Sequence, residues 1–370
     1  MMLLSFRTKA QLALTACGAL VVFTMLRPAA QVAVPPPVVA GLEQLHKIDV
    51  HAHIYEDLPS VAAMLRRVNV RVINVSNPGT DGHLAFMHDF NAKLVQAHPD
   101  VFSYASTFDL TTRDQPRYGP RMAAALDETF AQGAVMVKIW KEVGLELLRP
   151  DGTYLLPDDA SLDPIYRHLA ERQKPLLAHL AEPREAWQPL DAGGLHTGYY
   201  KNNPQWHLYR KNGIPTHQQL MDARDHVLMK HPSLIVIGAH IGSLEHDVDE
   251  AARRLDRYPN FNVEVSARTR DLTRQPTDKV RAFFVKYQDR ILYGTDRSWR
   301  PYRTPDEAPT DARREAFVKG LETQYRLDYA YYAGTEPMPY GGQTVQPLAL
   351  PREVLEKFYF RNAQRLIGVK

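Results

Sequence analysis

Cysteine is nearly absent from this chain, which has a single one, Cys17, among 370 residues. One cysteine excludes an intramolecular disulfide, so the folded protein must depend on its hydrophobic core for stability. The hydrophobic fraction of 44% is sufficient for a large core, and the charged fraction of 24% is that of a globular protein. The composition therefore excludes a mainly disordered chain.

The chain also lacks a strong excess of charge of either sign. Its formal net charge is +3, and no acidic residue precedes Glu43. Three basic residues, Arg7, Lys9 and Arg27, lie in that N-terminal stretch, so the rest of the chain has a formal net charge of zero. A neutral domain gives no indication of a nucleic-acid partner.

The first thirty residues differ in pattern from the rest. Arg7 and Lys9 precede an apolar run over residues 10–26. This order is typical of a secretory signal peptide, and the run is also long enough for an uncleaved membrane anchor, which needs about 17 to 25 residues. We predict a signal peptide or N-terminal membrane anchor over 1–30 and a proline-containing linker over 31–44. The protein is then exported to the periplasm or beyond the cell, either free or tethered to the membrane.

Short apolar runs alternate with helical patterns from Gly41 onward. Continuous apolar runs are typical of parallel strands, because such strands are buried on both faces. Eight runs fit, and eight is the number of strands that closes a (β/α)8 barrel. The runs are IDVHAH (48–53), RVINVSN (71–77), FSYASTFD (102–109), AVMVKIW (134–140), PLLAHL (175–180), LIVIGAH (234–240), FNVEVS (261–266) and RILYGTD (290–296). The sequence thus predicts an α/β fold in which one catalytic domain over 45–370 forms a TIM barrel.

Two connections, after His179 and after Asp296, are too long to be simple turns. Both are rich in Tyr, Trp, Gly and Pro, and both follow strand ends, where barrel active sites are built. We expect them to form lids or pocket walls, or to contact a second subunit of a homo-oligomer. Glu182, Arg184 and Trp187 in the first connection are candidates for substrate binding; surface charge or simple packing is the alternative.

Four predicted strands carry a histidine or aspartate at or next to their last residue that could bind a metal. His51 and His53 are two residues apart, so a strand directs both side chains to the same face. His179, His240 and Asp296 each follow an apolar run directly. A single residue of this kind is most simply explained as a polar group that forms its hydrogen bonds at the end of a strand. Five on one rim are costly unless something binds there, and imidazole and carboxylate groups suit Zn²⁺. The set therefore predicts a divalent metal site.

In these motifs the chain resembles the amidohydrolase superfamily, specifically its amidohydrolase-related (amidohydrolase 2) branch, which includes metal-dependent hydrolases, lactonases and decarboxylases. The motifs are HAH on the first strand, AHL on the fifth, GAHIG on the sixth, YGTD on the eighth and LEKFYFRNAQRLIG as the closing helix. They extend over nearly the whole predicted domain. The resemblance implies a distorted (β/α)8 barrel with a divalent ion, usually zinc.

The resemblance also implies which residues hold the ion. The implied ligands are His51, His53, His179 and Asp296. His240 would then orient or deprotonate the metal-bound water, or polarise a substrate oxygen. Asp296 could accept the proton of that water as well as bind the metal.

Lys138, at the end of the fourth strand, decides the number of ions. Superfamily members with two metal ions carry a carboxylated lysine here, and a modified Lys138 would place His179 and His240 on a second ion. An unmodified Lys138 would contact a substrate carboxylate or pair with an acid such as Glu264. We place the unmodified lysine and one ion first.

Two further charged residues belong to the seventh strand and its end. Glu264 alternates with Val263 and Val265, so we expect it to point into the barrel, where a buried acid needs a partner. Its role would be to support the metal site rather than to act in catalysis. Arg268 is a candidate for substrate binding, with a surface position as the alternative.

These residues predict a metal-dependent hydrolase in which a metal-bound water attacks the carbonyl-type centre of a small ester, lactone or amide. The alternative is a metal-dependent decarboxylase acting on an aromatic or unsaturated acid. In it, Lys138, Arg184 or Arg268 would bind the carboxylate, and Asp296 would deliver a proton to carbon. A third alternative is a barrel that binds metal without catalysis. It is disfavoured because all five candidate metal-site positions hold a histidine or an aspartate.

Overall fold

The computed structural model describes residues 39–77, 81–190, 193–301 and 309–369. The predicted signal peptide or anchor over 1–30 and most of the predicted linker lie outside the described residues. The described residues all fall within one compact unit. Among them, no helix combines the length and the apolar character that crossing a membrane requires.

Parallel strands form one sheet in the order β8-β7-β6-β5-β4-β3-β2-β1-β9. Helices connect most successive strands, as parallel pairing requires. The strands are β1 (Lys47–Ile54), β2 (Val70–Val75), β3 (Phe102–Ser106), β4 (Ala134–Ile139), β5 (Leu176–Ala178), β6 (Val236–Gly238), β7 (Phe261–Glu264), β8 (Ile291–Leu292) and β9 (Arg297–Trp299). The predicted (β/α)8 barrel is confirmed, with its eighth strand divided into β8 and β9.

The division of the eighth strand closes the barrel. β8 pairs with β7, and β9 pairs with β1. In the break between them, the backbone N–H of Val50 donates to the carbonyl of Tyr293 (3.0 Å), and that of Asp296 donates to the carbonyl of His51 (2.7 Å). Asp296 has a φ of 56°, a left-handed conformation that costs a non-glycine residue energy. The break therefore positions Asp296 beside the end of β1.

β1 changes its alternation of side chains halfway along. Its pairing with β2 is irregular between Asp49 and Ala52. Before this point Val50 belongs to the apolar cluster inside the barrel, whereas after it Ala52 belongs to the cluster outside. An extra residue in one strand has this effect, because side chains otherwise alternate strictly. As a result both His51 and His53 face the barrel interior.

The helices surround the barrel or cover its ends. They are α1 (Pro59–Arg67), α2 (Asp81–Ala97), α3 (Tyr118–Ala131), α4 (Glu142–Leu145), α5 (Asp163–Glu171), α6 (Thr197–Asn202), α7 (His217–Lys230), α8 (Ala239–Ser243), α9 (Val248–Arg257), α10 (Thr269–Leu272), α11 (Thr277–Lys286), α12 (Asp311–Ala333), α13 (Arg352–Glu356) and α14 (Asn362–Ile367). The long connection after Asp296 is thus largely the helix α12. It is followed by a hairpin of β10 (Met338–Tyr340) and β11 (Gln343–Val345).

The C-terminal helix closes one end of the barrel. Leu366 and Ile367 of α14 belong to the same buried cluster as the inward side chains of the strands, such as Ile48 and Leu177. Burial of this apolar group closes the amino ends of the strands. The opposite end, at the carboxyl ends of the strands, carries the polar residues described next.

Candidate metal centre and active site

Three histidines expose one ring nitrogen each towards the same point. The Nδ1 of His51 lies 2.9 Å from Oε1 of Glu264, and that of His240 lies 2.8 Å from the carbonyl oxygen of Ser266. The Nδ1 of His53 lies 3.0 Å from the carbonyl oxygen of Val75. Since these oxygens can only accept, each Nδ1 carries the hydrogen and each Nε2 keeps a lone pair. This arrangement is typical of metal-binding histidines.

The lone pairs converge on Asp296. Its Oδ1 lies 3.3 Å from Nε2 of His53 and 3.6 Å from Nε2 of His51, and its Oδ2 lies 3.9 Å from Nε2 of His240. The two Nε2 atoms of His51 and His53 are 3.2 Å apart, with no hydrogen to place between them. Donor atoms of His51, His53 and Asp296 lie within 4.8 Å of one another. This donor set fits a divalent cation such as Zn²⁺.

Burial favours the neutral, metal-binding form of two of these imidazoles. It lowers the pKa of His53 and, together with the positive charge of Arg268, lowers the pKa of His240 well below its usual range. Burial would raise the pKa of Asp296, but the neighbouring histidines outweigh it and lower that pKa well below its usual range. A charged carboxylate beside neutral imidazoles is the protonation state that binds a cation.

His240 adopts a strained backbone to reach this point. The sequence predicts it at the end of the sixth strand, but β6 ends at Gly238 and His240 lies in α8. Residues 240–243 all have left-handed φ values near 60°, at a cost of roughly 1 to 2 kcal/mol for each non-glycine residue. Gly242 is required here, because a Cβ atom would lie 2.7 Å from the ring of Phe261. Strain of this kind is concentrated at functional sites.

His179 lies beside the other histidines in a different hydrogen-bonded state. Its ring is 4.3 Å from that of His240, between centroids. The indole N–H of Trp140 donates to its Nδ1 at 2.8 Å, which leaves the hydrogen on Nε2. That Nε2 is buried without a hydrogen-bond partner among the described residues. His179 is therefore at the site, but the hydrogen bond from Trp140 competes with metal binding.

Lys138 reaches the same point from β4. Its Nζ lies 3.1 Å from Nε2 of His51, and burial lowers its pKa to about 8. Its side chain therefore belongs to the histidine cluster rather than to an ion pair with Glu264, one of the predicted alternatives.

Glu264 lies behind the histidines, as predicted, and holds them in place. Besides His51, its Oε1 accepts from the backbone N–H of His240 (3.1 Å) and from the hydroxyl of Ser266 (2.8 Å). Burial alone would raise the pKa of Glu264, but hydrogen bonds from His51 and from the backbone N–H of Ser266 lower it to about 2. Ser266 was not predicted. Its Oγ is 3.0 Å from Nδ1 of both His51 and His240. The signal in the sequence was its spacing of two from Glu264 within the predicted strand 261–266, although β7 itself ends at Glu264.

The predicted substrate-binding residues occupy three different places. Buried Glu182 forms an ion pair with Lys141, whose Nζ lies 3.7 Å above the Trp206 ring; no sequence pattern singled out Lys141. Trp187 packs on His217 and donates to the carbonyl of Pro215.

Arg184 and Arg268 complete this set. Arg184 lines a separate surface cavity with His217, so neither it nor Trp187 joins the histidine cluster. Arg268 is buried, with Nε 3.7 Å from Glu245 and no hydrogen-bond partner for that atom within the described ranges.

The chain matches one family model and several solved structures. The family model is described as Amidohydrolase and matches residues 48–369. An uncharacterised TIM-barrel protein, Bb4693, from Bordetella bronchiseptica is 17% identical, with a TM-score of 0.50 over 88% of this chain and 99% of that one. A 2,6-dihydroxybenzoate decarboxylase from Rhizobium is 15% identical, with a TM-score of 0.50 over 88% of this chain and 99% of that one. No curated protein is significantly similar in sequence. At these identities the structural matches show a shared fold.

Proposed function

Because the chain belongs to the amidohydrolase family, whose model matches residues 48–369, we propose that it is a metal-dependent hydrolase of small esters, lactones or amides. The observation that carries this proposal is the convergence of three Nε2 lone pairs on the Asp296 carboxylate, within 3.3 to 3.9 Å. Such a cluster is costly without a cation.

The ion would be held by His51, His53 and Asp296, with His179 as the fourth ligand that the family resemblance implies. A bound divalent ion supplies Lewis-acid polarisation of a carbonyl and lowers the pKa of water. The metal most compatible with this donor set is Zn²⁺. One ion is proposed for an unmodified Lys138 and two for a carboxylated one.

The chain's own residues would move the proton and stabilise charge. His240 presents an unprotonated Nε2 and is held by its Nδ1 bond to Ser266, so it can accept a proton from the attacking water. The Asp296 side chain is 30% exposed, whereas His51 is 1% exposed, so a substrate would enter on the Asp296 side. The Lys138 ammonium would stabilise the negative oxygen that develops on the carbonyl.

A decarboxylase is the second candidate, and Arg268 is the observation that favours it. The buried Nε of Arg268 has no hydrogen-bond partner in the described part of the chain. Its positive charge helps to lower the pKa of His240 and of His179, in addition to the effect of their burial. A buried guanidinium with spare donors can bind a substrate carboxylate. In this reading Asp296 would deliver the proton to carbon.

Export through the N-terminal segment is part of the proposal, with a small molecule as the partner. Its support is the basic and then apolar pattern of residues 7–26. A membrane tether and a homo-oligomer remain predictions from the sequence.

Metal analysis and a substrate screen test the proposed function together. We expect the variants His51→Ala and Asp296→Asn to lose the metal. Their kcat/KM for a panel of esters, lactones and amides should fall at least about 100-fold. His226→Ala is the matched control, because His226 is a surface histidine paired with Asp158. Folded variants that keep both metal and activity would refute the proposal. Release of carbon dioxide from aromatic acids, without hydrolysis, would favour the decarboxylase.

A further inference from the structure

A groove with an aromatic lining adjoins the histidine cluster. Its volume is about 790 Å³, within the range of about 300 to 1,000 Å³ that is usual for small-molecule sites. The side chains that matter here are Tyr55, Phe86, Met87, Phe90, Trp140 and Pro301. They come from the end of β1, from α2, from the end of β4 and from the segment after β9.

Two of these residues connect the groove to the candidate metal centre. The hydroxyl oxygen of Tyr55 lies 2.7 Å from Nδ1 of His53, and the indole of Trp140 donates to Nδ1 of His179. Both side chains therefore have one face on the groove and one polar atom on a histidine of the site. The groove and the histidines therefore share these two side chains as a common wall, at the same carboxyl end of the barrel strands.

The groove offers apolar surface between charged and polar groups that also line it, such as Asp57, His83 and Arg300. Phe86 is 61% exposed and stacks on Phe90, with ring centroids 6.4 Å apart. The nearby acid Glu56 already accepts from Arg314 (2.7 Å) and from the indole of Trp299 (2.8 Å), so these charged groups satisfy each other. A large exposed aromatic ring at the mouth of a cavity is typical of a ligand-binding surface.

We propose that this groove binds the aromatic or extended apolar part of the substrate while its reacting bond lies at the histidine cluster. The inference rests on the proposed hydrolase function and specifies its substrate class, an ester or amide with an aromatic ring system. Contact of two groove residues, Tyr55 and Trp140, with histidines of the site is the reason for assigning the groove to substrate rather than to a second copy of the chain.

Binding of 2-naphthol to the full chain tests the groove without requiring catalysis. We expect Phe86→Ala to weaken binding about three- to tenfold and Phe86→Asp to weaken it further, because stacking is lost and a charge is placed in an apolar groove. Phe86 is exposed, so neither change removes a core side chain. Met229→Ala, which alters another exposed apolar residue, should bind as the unaltered chain does. Undetectable binding of 2-naphthol to the unaltered chain, or equal binding by all variants, would refute the proposed role of the groove.

Hydrolysis of 2-naphthyl acetate and ethyl acetate, measured in parallel, separates the two proposals. A preference for the naphthyl ester that falls in the Phe86 variants through KM supports both. Binding of 2-naphthol with no ester turnover would leave the groove standing and refute the hydrolase. Ester turnover with no preference for the naphthyl ester, and with the same kinetics in the Phe86 variants, would support the hydrolase and refute the proposed role of the groove. Conversion of a dimer to a monomer by Phe86→Asp, with 2-naphthol binding unchanged, would assign the groove to a second copy and overturn it.

Discussion

His51 and Glu264 are joined by a hydrogen bond of 2.9 Å between Nδ1 and Oε1, although they are 213 positions apart in the chain. The bond determines which nitrogen of His51 faces the centre of the site. It connects the first strand of the barrel to the seventh and makes the candidate metal centre a property of the closed barrel.

Glu264→Gln should therefore weaken metal binding about 10- to 100-fold, because partners of this kind orient the ligand and raise its basicity. The measurement is a competition titration of the purified protein with a chelator. Glu250→Gln is a suitable control, because Glu250 pairs with arginines of its own helix, Arg253 and Arg254, away from the histidine cluster. Equal affinity in Glu264→Gln and Glu250→Gln would contradict the assigned role.

Trp140→Phe tests whether His179 is a metal ligand. The substitution keeps an aromatic ring but removes the indole N–H that occupies Nδ1 of His179. The family resemblance implies that His179 binds metal. If it does so through Nε2, the hydrogen on Nε2 must leave or move to Nδ1, and the bond from Trp140 must break first. We expect metal affinity to rise roughly fivefold, which corresponds to about 1 kcal/mol for one hydrogen bond. An unchanged affinity, together with metal retention in His179→Ala, would remove His179 from the ligand set.

Lys138 should control the number of bound ions. Its Nζ is 3.1 Å from Nε2 of His51, where an ammonium group would repel a second cation and a carboxylated lysine would bind one. We expect about one ion per chain without added bicarbonate and a rise towards two with it, as measured by metal analysis and intact mass. Lys138→Met should show no such rise. A count that is independent of bicarbonate would indicate that the lysine stays unmodified.

Asp328 should make stability depend on pH. Its buried carboxylate accepts from Tyr293 (2.9 Å) and Tyr340 (2.6 Å). Burial outweighs these bonds and raises its pKa from 3.8 to about 6. Between these values the folded chain binds a proton that the unfolded chain does not, so the contribution of Asp328 to stability falls as pH rises from 4 to 7.

The change that Asp328 causes between pH 4 and pH 7 should be on the order of 2 kcal/mol. Denaturant unfolding at pH 4 and pH 7 measures it as the difference between the unaltered chain and Asp328→Asn. If the difference in unfolding free energy is the same at both pH values, the pKa of the Asp328 carboxyl is not raised.

The sequence was sufficient for the barrel, because parallel strands buried on both faces appear as apolar runs, and eight such runs form the β1 to β9 sheet. It also identified the polar residues at the strand ends, since a histidine after an apolar run departs from what a buried strand requires. Glu264 was placed inside the barrel by alternation alone.

The tertiary structure decided what local pattern could not. The irregularity in β1 turns His51 and His53 inward although Val50 already faces the interior, because a shift in pairing depends on β2 and not on β1 alone. The left-handed turn at His240 and the break at Asp296 are conformations that only surrounding contacts can impose. The protonated nitrogen of each histidine is set by a partner distant in the chain, such as Glu264 for His51 and Trp140 for His179. The sequence therefore identified the histidines, Asp296, Lys138 and Glu264 of the site, and the closed barrel decided which of their atoms face its centre.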